Sequence, residues 1–430
     1  MASQARDRSA AGDGMFDVYL YDMPIGTLTP RGRGVRFTYT PRALENDRLP
    51  ALSLSLPKRV EPFPDSQAGP FFRNLLPEQA FRRLIATAVG TAPENSLTLL
   101  GAIGGECPGA VSIWPQESGP PAQPEYEPLD RDRLLALFSR TDRQPLANAL
   151  RRGRLSLAGA QEKIALLQDE HDQWHLPLNG AITSHILKQA PAEFPHLLEN
   201  ELYCMALANA CGLNVAPTAI AAPDIPVFCT ERFDRPRAPE AAGATRRKLH
   251  QEDFCQILGV EPESKYESDG GPGLKKCAGV LRRYSSLPAE DLVRLIKWVG
   301  FNYVIGNEDA HAKNLAFLYL PGGLRLTPHY DLVSTEAYPA LERSLAMKLG
   351  RAWDIRTVQP SDWQRLATAL DMPWEQVRAP LVELAAAVHV AASRTAESSR
   401  ALFGDAPIYG QIADVIARHT AALERAMAAR

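Results

Sequence analysis

The chain has 430 residues, and its 47 Lys and Arg against 50 Asp and Glu give a net charge of −3. This balance gives no support to an extended nucleic-acid-binding surface and leaves room only for a local basic patch. No apolar run approaches the ~18 residues of a membrane helix, so no membrane association is expected. The six cysteines form no C-x-x-C pair, which argues against zinc and redox motifs and favours buried thiols in a reducing cytoplasm.

The N-terminal quarter of the chain predicts a small α+β domain. Residues 1–14 lack an apolar core and are interpreted as a disordered tail. "MFDVYLYDMPIGTLTP" alternates like a β-hairpin around an Ile-Gly turn, "GVRFTYT" follows as a strand, and "PFFRNLLPEQAFRRLIATAV" has helical spacing. We assign residues 15–125 to this domain, and the Pro-rich "WPQESGPPAQPEYEPLD" is the best candidate for a linker.

Two further regions follow, the first rich in strands and the second mainly helical. In residues 126–230, "RLSLAGAQEKIALLQDEHDQWHLPL" predicts strand, loop, strand, polar turn and strand, and "SHILKQ" adds a strand ending in Lys188. A helix over "FPHLLENELYCMALANACGLNV" and a strand over "PVFCTERF" come next. Residues 231–430 are mainly helical and are interrupted by one hairpin. The order predicts a β-rich lobe followed by a larger helical lobe.

The hairpin carries the most informative spacing in the chain. "NLAFLYL" and "LRLTPHYDL" flank the turn residues Pro-Gly-Gly at 321–323. Pairing of these strands is expected to bring Asn314 beside Asp331, with Asp309 on the loop that leads into the first strand. An Asp, an Asn five residues later and an Asp beyond a hairpin have the spacing of the protein-kinase catalytic loop and its metal-binding Asp.

The residue types at these positions suit phosphoryl transfer. One carboxylate must accept the proton of an attacking hydroxyl, while an amide oxygen and a second carboxylate hold Mg²⁺ against the phosphates. Lys313 could add positive charge where negative charge develops. Each residue alone also has an ordinary structural interpretation, such as a turn cap at Asp309 or a satisfied polar side chain at His311. A transition-metal site at these two residues is a further alternative, with His329 as the nearest other histidine in the sequence.

A nucleotide lobe would have to lie upstream, and three segments are candidates for it. "SLAGAQEK" lies between predicted strands, where backbone N–H groups could cradle phosphates, although an ordinary hairpin fits that segment as well. Glu201 lies on the apolar face of its helix, where an unpaired carboxylate is unfavourable. Pairing with Lys188 would remove that cost and reproduce the strand-lysine to helix-glutamate pair of kinases. "TERFDR" would join the lobes and offer backbone groups to adenine.

Together these segments resemble the HipA family of toxin kinases from bacterial type II toxin–antitoxin systems. The resemblance rests on "LSLAGAQEKIALL", "SHILKQ", "ENELYCMALANACGLNV", "TERFDR", "HQEDFCQILGV", "KYESDGGPG", "GNEDAHAKN" and "YDLVS", and on "PFFRNLLPE" and "GAVSIWP" in the first domain. It implies an α+β, protein-kinase-like, two-lobed fold with an added small N-terminal domain. Asp331 is followed by Leu-Val where ordinary kinases have Phe-Gly, which agrees with this family.

The resemblance also assigns roles to residues. Asp309 matches the catalytic base with Lys313 beside it, and Asn314 and Asp331 match the Mg²⁺ ligands. The residues that match nucleotide-contacting positions are Ala158, Gly159, Ala160, Gln161, Glu162, Lys163, Lys188, Glu201, Glu231, Arg232, Phe233, His311, Ala312, Asn314, Tyr330 and Asp331. Ser156 matches the serine that family members autophosphorylate, which shuts the enzyme down. A dianion beside a phosphate-binding loop would repel ATP.

The biological role follows from the resemblance alone. It implies an ATP- and Mg²⁺-dependent serine/threonine kinase that phosphorylates an aminoacyl-tRNA synthetase, of the glutamyl type in the best-known case, and so halts translation. A HipB-like helix-turn-helix antitoxin would restrain it and link it indirectly to operator DNA. Two alternatives stay open: a small-molecule phosphotransferase of kinase-like fold, and an inactive pseudokinase that serves as co-repressor.

Overall fold

The structure is a computed structural model that describes residues 14–32, 34–116, 118–222, 225–237 and 246–429. The tail predicted at residues 1–14 lies outside the described residues except for its last glycine. Across the described ranges, no helix combines the length and apolar character needed to cross a bilayer.

The N-terminal part contains a four-stranded antiparallel sheet in the order β3-β2-β1-β4, with strands β1 Phe16–Leu20, β2 Met23–Arg31, β3 Gly34–Tyr39 and β4 Val111–Pro115. Four helices accompany it, namely α1 Pro41–Glu45, α2 Asp65–Arg73, α3 Gln79–Val89 and α4 Ser96–Ile103. Alternate residues of β3 are buried, as the sequence pattern predicts. The buried rings of Phe37, Phe63, Phe71 and Phe72 belong to the core between sheet and helices.

The first hairpin forms, but its turn is not at Ile25-Gly26 as the sequence predicts. The strands reverse between Leu20 and Met23, which face each other, and Tyr21 adopts a left-handed conformation with φ of 58°. Gly26 instead lies within β2, where a Cβ atom would come within 2.4 Å of the Phe37 ring. The glycine therefore makes room for a cross-strand aromatic ring and does not make the turn.

The predicted Pro-rich linker is partly ordered as a strand. Its end forms β5 Glu125–Leu129, which pairs with β7 Trp174–Leu178 at the edge of a six-stranded sheet. An edge position tolerates Pro128, which has no N–H for the ladder. Two helices follow, α5 Arg131–Leu137 and α6 Gln144–Gly153.

The six-stranded sheet has the order β5-β7-β6-β8-β10-β9, with β6 Lys163–Gln168, β8 His185–Lys188, β9 Thr218–Ala222 and β10 Ile225–Glu231. The strand predicted before the "AGAQEK" loop does not join it. Arg154 ends α6 in a left-handed conformation, and the next residue, Leu155, forms one parallel bridge to Glu106 of the N-terminal part. The chain therefore reaches the loop from α6, alongside the N-terminal part, and not from a neighbouring strand.

The remaining chain is mainly helical, as predicted, and packs around one large core. Its helices are α8 Phe254–Leu258, α9 Leu274–Tyr284, α10 Pro288–Val304, α11 Pro360–Ala369, α12 Trp374–Phe403 and α13 Ile408–Ala428, and α7 Leu197–Ala210 packs against α12. The predicted hairpin is present as β12 Ala316–Leu320 and β13 Gly323–Leu326. A short strand, β11 Gln251–Asp253, pairs with β12 and completes a three-stranded sheet.

Candidate active site

A cleft of about 1020 Å³ lies where the six-stranded sheet, the helical part and the segment before α3 meet. Most of the residues singled out from the sequence line it: Ala158, Gly159, Ala160, Gln161, Lys163, Lys188, Glu231, Arg232, Phe233, Asp309, His311, Lys313, Asn314, Tyr330 and Asp331. Residues more than 170 positions apart in the sequence thus share one cavity.

The loop that follows α10 carries Asp309 to this cleft. Gly306 has φ of +67°, and a Cβ atom there would lie within 3.0 Å of Glu336 and Val415, so the backbone turns tightly at this point. Asn307 then fixes the loop, because its Oδ1 accepts a hydrogen bond from the Asp309 N–H at 3.1 Å. The Asp309 side chain that follows is exposed at the cleft surface.

Asn314 and Asp331 both reach the cleft, but not through direct strand pairing. The β12–β13 ladder ends at Phe317 opposite Leu326, short of both residues. The connection is made by Tyr330, whose hydroxyl donates to the Lys313 carbonyl at 2.8 Å. Asp331 follows with φ of +60°, a strained conformation that is common at functional sites.

Lys188 is the electrostatic centre of the site. Its Nζ lies 2.7 Å from Glu201 Oε1, which is the pair that the sequence predicts, and 3.0 Å from Asp331 Oδ1. Burial opposes its charge, but the two carboxylates raise the pKa of Lys188, so it stays protonated. Lys188 in turn holds the pKa of Asp331 well below its usual range. An anionic Asp331 whose side chain is 44% exposed is therefore available to a cation in the cleft.

The "AGAQEK" loop borders the same cleft as Asp309. Gly159 has φ of +105°, and a Cβ atom there would lie 2.7 Å from the Lys163 nitrogen. Lys163 donates to the Ala158 carbonyl at 2.8 Å, so the loop closes on its own lysine. Burial, assisted by the nearby Lys188, lowers the pKa of Lys163 to about 8.

Ser156 lies beneath this loop and is fully buried. Its hydroxyl donates to the Leu75 carbonyl at 2.7 Å, and its N–H donates to the Glu106 carbonyl at 3.0 Å. The Glu78 N–H donates to the Gly159 carbonyl at 3.0 Å, so the N-terminal part forms the base on which the loop rests. Ser156 is therefore not accessible in this arrangement.

Several predicted residues lie elsewhere or have occupied side chains. Glu162 forms an ion pair with Arg143 at 2.8 Å and does not line the cleft. Ala312 is buried in the helical core. Arg232 borders the cleft, but its guanidinium is buried against acidic residues of the interior, so only its backbone can serve a ligand. The ring of Phe233 stacks on that of Tyr330 with centroids 5.8 Å apart.

His311 is buried, and its Nδ1 has no hydrogen-bond partner among the described residues. Burial lowers its pKa, so the ring is neutral near pH 7. His329, the other histidine of the transition-metal alternative, stacks on Trp298. Within the described part of the chain, no group of three or more His, Cys, Asp or Glu side chains is placed to hold a metal ion, so the transition-metal alternative lacks a ligand set.

Three residues of the site escaped the sequence analysis. Glu78, immediately before α3, forms ion pairs with both Lys313 and Lys265, and the Lys265 distance is 3.1 Å. Burial alone would raise the pKa of Glu78, but the two lysines lower it to about 2. Tyr266 donates its hydroxyl to Asp309 Oδ1 at 2.9 Å. The only signal in the sequence was that these residues lie in "LLPE" and "KYESDGGPG", two segments without an assigned role.

Comparisons with known proteins identify the family of the chain. Residues 16–114 match the family model of the HipA N-terminal domain, and residues 155–392 match that of the HipA-like C-terminal domain. Y4mE of Sinorhizobium fredii is 39% identical over 400 residues, which cover 91% of this chain and 94% of the relative. The serine/threonine-protein kinase toxin HipA of Shewanella oneidensis is 30% identical over 320 residues, which cover 72% of each chain.

A solved structure of the Shewanella oneidensis toxin–antitoxin system, HipA with HipB and operator DNA, superposes with a TM-score of 0.80. The sequences are 25% identical, and the match covers 95% of this chain and 97% of that one. Fold and site together define a two-lobed, protein-kinase-like α+β enzyme with an added N-terminal part. The chain belongs to the HipA family of serine/threonine-protein kinase toxins.

Proposed function

We propose that this protein uses ATP and Mg²⁺ to phosphorylate a serine or threonine of a protein, with Asp309 as the general base. The observation that carries this proposal is the joint placement of an exposed Asp309, Asn314 and the Lys188-paired Asp331 on one cleft. A protein kinase site needs these three oxygen-bearing groups and a lysine at the phosphates. In this chain they come from three separate segments.

The nucleotide would lie between the "AGAQEK" loop and the backbone of residues 231–233. Lys163 and Lys188 border the cleft and offer positive charge to the phosphates, and the loop offers backbone N–H groups. The stacked rings of Phe233 and Tyr330 provide an apolar wall for a flat adenine.

The oxygen atoms of Asn314 and Asp331 suit Mg²⁺. The Asn314 amide nitrogen faces the Asp309 carbonyl at 3.5 Å, and within the described chain no group hydrogen-bonds its amide oxygen. Asp331 is anionic and uses Oδ1 for Lys188, which leaves Oδ2 for a cation. Mg²⁺ held there would supply positive charge to offset that of the phosphates. These two residues would hold it.

In the chemical step, the oxygen of the acceptor hydroxyl bonds to the γ-phosphorus of ATP while Asp309 accepts the proton of that hydroxyl. The bond from the γ-phosphorus to the bridging oxygen breaks, and ADP leaves. Lys313 pairs with Glu78 and lines the same cleft, where it would offset charge on the transferred group.

Ser156 is proposed as the site of inactivating autophosphorylation. A phosphate cannot remain where Ser156 is now, because its side chain is fully buried and its oxygen faces the Leu75 carbonyl. The modified loop would have to leave the N-terminal base, which would dismantle the phosphate-binding site.

The toxin role is proposed from the relatives. The HipA of Shewanella oneidensis was solved with HipB and operator DNA, and by likeness this chain would pair with a HipB-like helix-turn-helix antitoxin and reach operator DNA through it. An aminoacyl-tRNA synthetase, the glutamyl enzyme first, is the proposed target, which places the activity in the cytoplasm. Incubation with purified synthetases and labelled ATP tests the target directly.

The kinase proposal is tested by intact mass after incubation with Mg²⁺ and ATP, for wild type and for Asp309→Asn, followed by peptide mapping. The expected result is one phosphoryl group at Ser156 in wild type, gained during incubation or already present on purification, and none in the variant. A melting curve shared by the two proteins would show that the variant is folded. Absence of phosphate in wild type before and after incubation, on Ser156 and on added synthetases, would overturn the proposal.

A further inference from the structure

The carboxylate of Asp309 has one hydrogen-bond partner among the described residues, and that partner is a tyrosine. The Tyr266 hydroxyl donates to Asp309 Oδ1 at 2.9 Å, which lies within the range of a good O–H···O bond. All other bonds of Asp309 in the described chain use its backbone atoms. Without Tyr266, nothing in that part of the protein would fix the direction of this exposed side chain.

The segment that carries Tyr266 is built to stay in place. The Glu267 N–H donates to the Ala346 carbonyl at 2.9 Å, and the Glu267 carboxylate accepts the Lys348 N–H at 3.0 Å. The Gly271 N–H closes the loop on the Tyr266 carbonyl at 2.9 Å. A side chain at Gly271 would lie 2.3 Å from the carbonyl oxygen of Ser264, so the loop is as tight as its backbone allows.

The other end of the segment is anchored to the N-terminal part of the chain. Lys265 pairs with Glu78 at 3.1 Å, and both side chains are about nine-tenths buried. Glu78 also pairs with Lys313, so one carboxylate contacts both the loop that carries Tyr266 and a lysine that lines the cleft. The ring of Tyr266 meets His311 edge-on, with centroids 5.8 Å apart, which limits how far the phenol can swing.

We propose that Tyr266 is a positioning residue that holds Oδ1 of Asp309 and thereby leaves Oδ2 directed at the acceptor hydroxyl. This inference rests on the proposed function of Asp309 as the base. A base oriented by a third group is a common device in enzymes that activate a hydroxyl. The Glu78–Lys265 pair supplies the rigidity, which gives the N-terminal part a direct share in the catalytic geometry.

The protonation state of the phenol agrees with this role. Burial raises the pKa of Tyr266, and the neighbouring Asp309 raises it further. The hydroxyl therefore keeps its proton near neutral pH and can donate it to Asp309.

The test is Tyr266→Phe, which keeps the ring and removes only the hydroxyl. For the variant and wild type, the transfer of labelled phosphate from ATP to protein is followed at saturating Mg²⁺ and varied ATP. We expect the maximal rate to fall about tenfold, while half-saturation by ATP stays within twofold because Tyr266 holds the base and not the nucleotide. A tenfold loss corresponds to about 1.4 kcal/mol of transition-state stabilisation.

Tyr126→Phe is the matched control. Its hydroxyl donates to the Ile182 carbonyl at 3.0 Å, outside the cleft, and its loss should leave the rate unchanged. Melting curves for both variants separate loss of stability from loss of rate. A wild-type protein without activity would refute the proposed function, whereas the outcomes that refute the role of Tyr266 all require an active wild type.

Four results would overturn the inference. A Tyr266→Phe rate within twofold of wild type would show that the hydroxyl is not used. A higher rate would show that the phenol occupies the place of the acceptor. Phosphate found on Tyr266 of the wild type would make this tyrosine an acceptor. A loss of rate in the variant that is matched by a lower melting temperature or by weaker ATP binding would make the role of Tyr266 structural.

Discussion

A buried ionic cluster between the N-terminal part and the end of β10 gives the sharpest stability prediction. Glu106 Oε1 accepts hydrogen bonds from Arg235 Nε at 2.9 Å, Thr183 Oγ1 at 3.0 Å and Arg232 Nη1 at 3.2 Å, and Lys248 Nζ lies 3.1 Å from Oε2. The side chain of Glu106 is fully buried, and its cationic neighbours lower its pKa against the effect of burial.

Replacing Glu106 by Gln removes one of the two negative charges in this cluster. Arg232, Arg235 and Lys248 then face Asp234 alone, so the local net charge rises from +1 to +2 in a site whose side chains are at most 16% exposed. Breaking a buried ion pair on one side costs about 3–5 kcal/mol, because the remaining charge stays buried without compensation. We expect a loss of that size in the free energy of unfolding for Glu106→Gln.

Glu127 provides a matched control, because it also pairs with two arginines, Arg133 and Arg152. Its partners have side chains that are 44% and 46% exposed, so Glu127→Gln should cost at most about 1 kcal/mol. Urea unfolding followed by tryptophan fluorescence, with thermal melts in parallel, measures both variants. Equal losses in the two would refute the argument that burial sets the cost. A Glu106→Gln protein as stable as wild type would refute the role of the cluster.

Three further predictions concern the cleft and its surroundings. Lys188→Met leaves Glu201 and Asp331 without their cation and should lower the rate of labelled phosphate incorporation at least 100-fold. A rate within tenfold of wild type would contradict the role of Lys188 at the phosphates. Burial raises the pKa of Glu252 to about 7, above the ~4.3 of the unfolded chain, so folding binds a proton between these values and stability falls as pH rises through them. Glu252→Gln should remove up to roughly 3 kcal/mol of that fall in the free energy of unfolding between pH 5 and 8, measured by urea unfolding. If the free energies of variant and wild type ran parallel with pH, Glu252 would not titrate in that range. Gly159→Ala strains a residue with φ of +105° and places a methyl group 2.7 Å from the Lys163 nitrogen. The affinity for ATP, measured by titration, should therefore fall roughly tenfold. An unchanged affinity would show that the loop adapts to the methyl group.

Local patterns were enough to predict much of the β12–β13 hairpin. Pro321 and Gly322 form the predicted turn between β12 and β13, and Gly323 begins β13, because turn chemistry and alternation act over a few residues. The pairing of Lys188 with Glu201 was also predictable, since a buried carboxylate on an apolar helix face needs a cation. The turn of the first hairpin was misplaced, because Gly26 serves a contact with Phe37 that local sequence does not show.

The sequence by itself determined which chemical groups are available. They are an Asp, an Asn and an Asp at kinase spacing, a lysine at the end of a strand and a glutamate on a helix. Only the tertiary structure decided how these groups are held. Glu78 meets Lys313 across 235 residues of sequence, and Tyr266 reaches Asp309 from a loop without periodicity. Ser156 is buried, and its hydroxyl donates to the carbonyl of Leu75, 81 residues earlier. Spacing along a chain restricts neighbours within one element, whereas contacts between distant elements depend on how the cores of both lobes and the N-terminal part pack together.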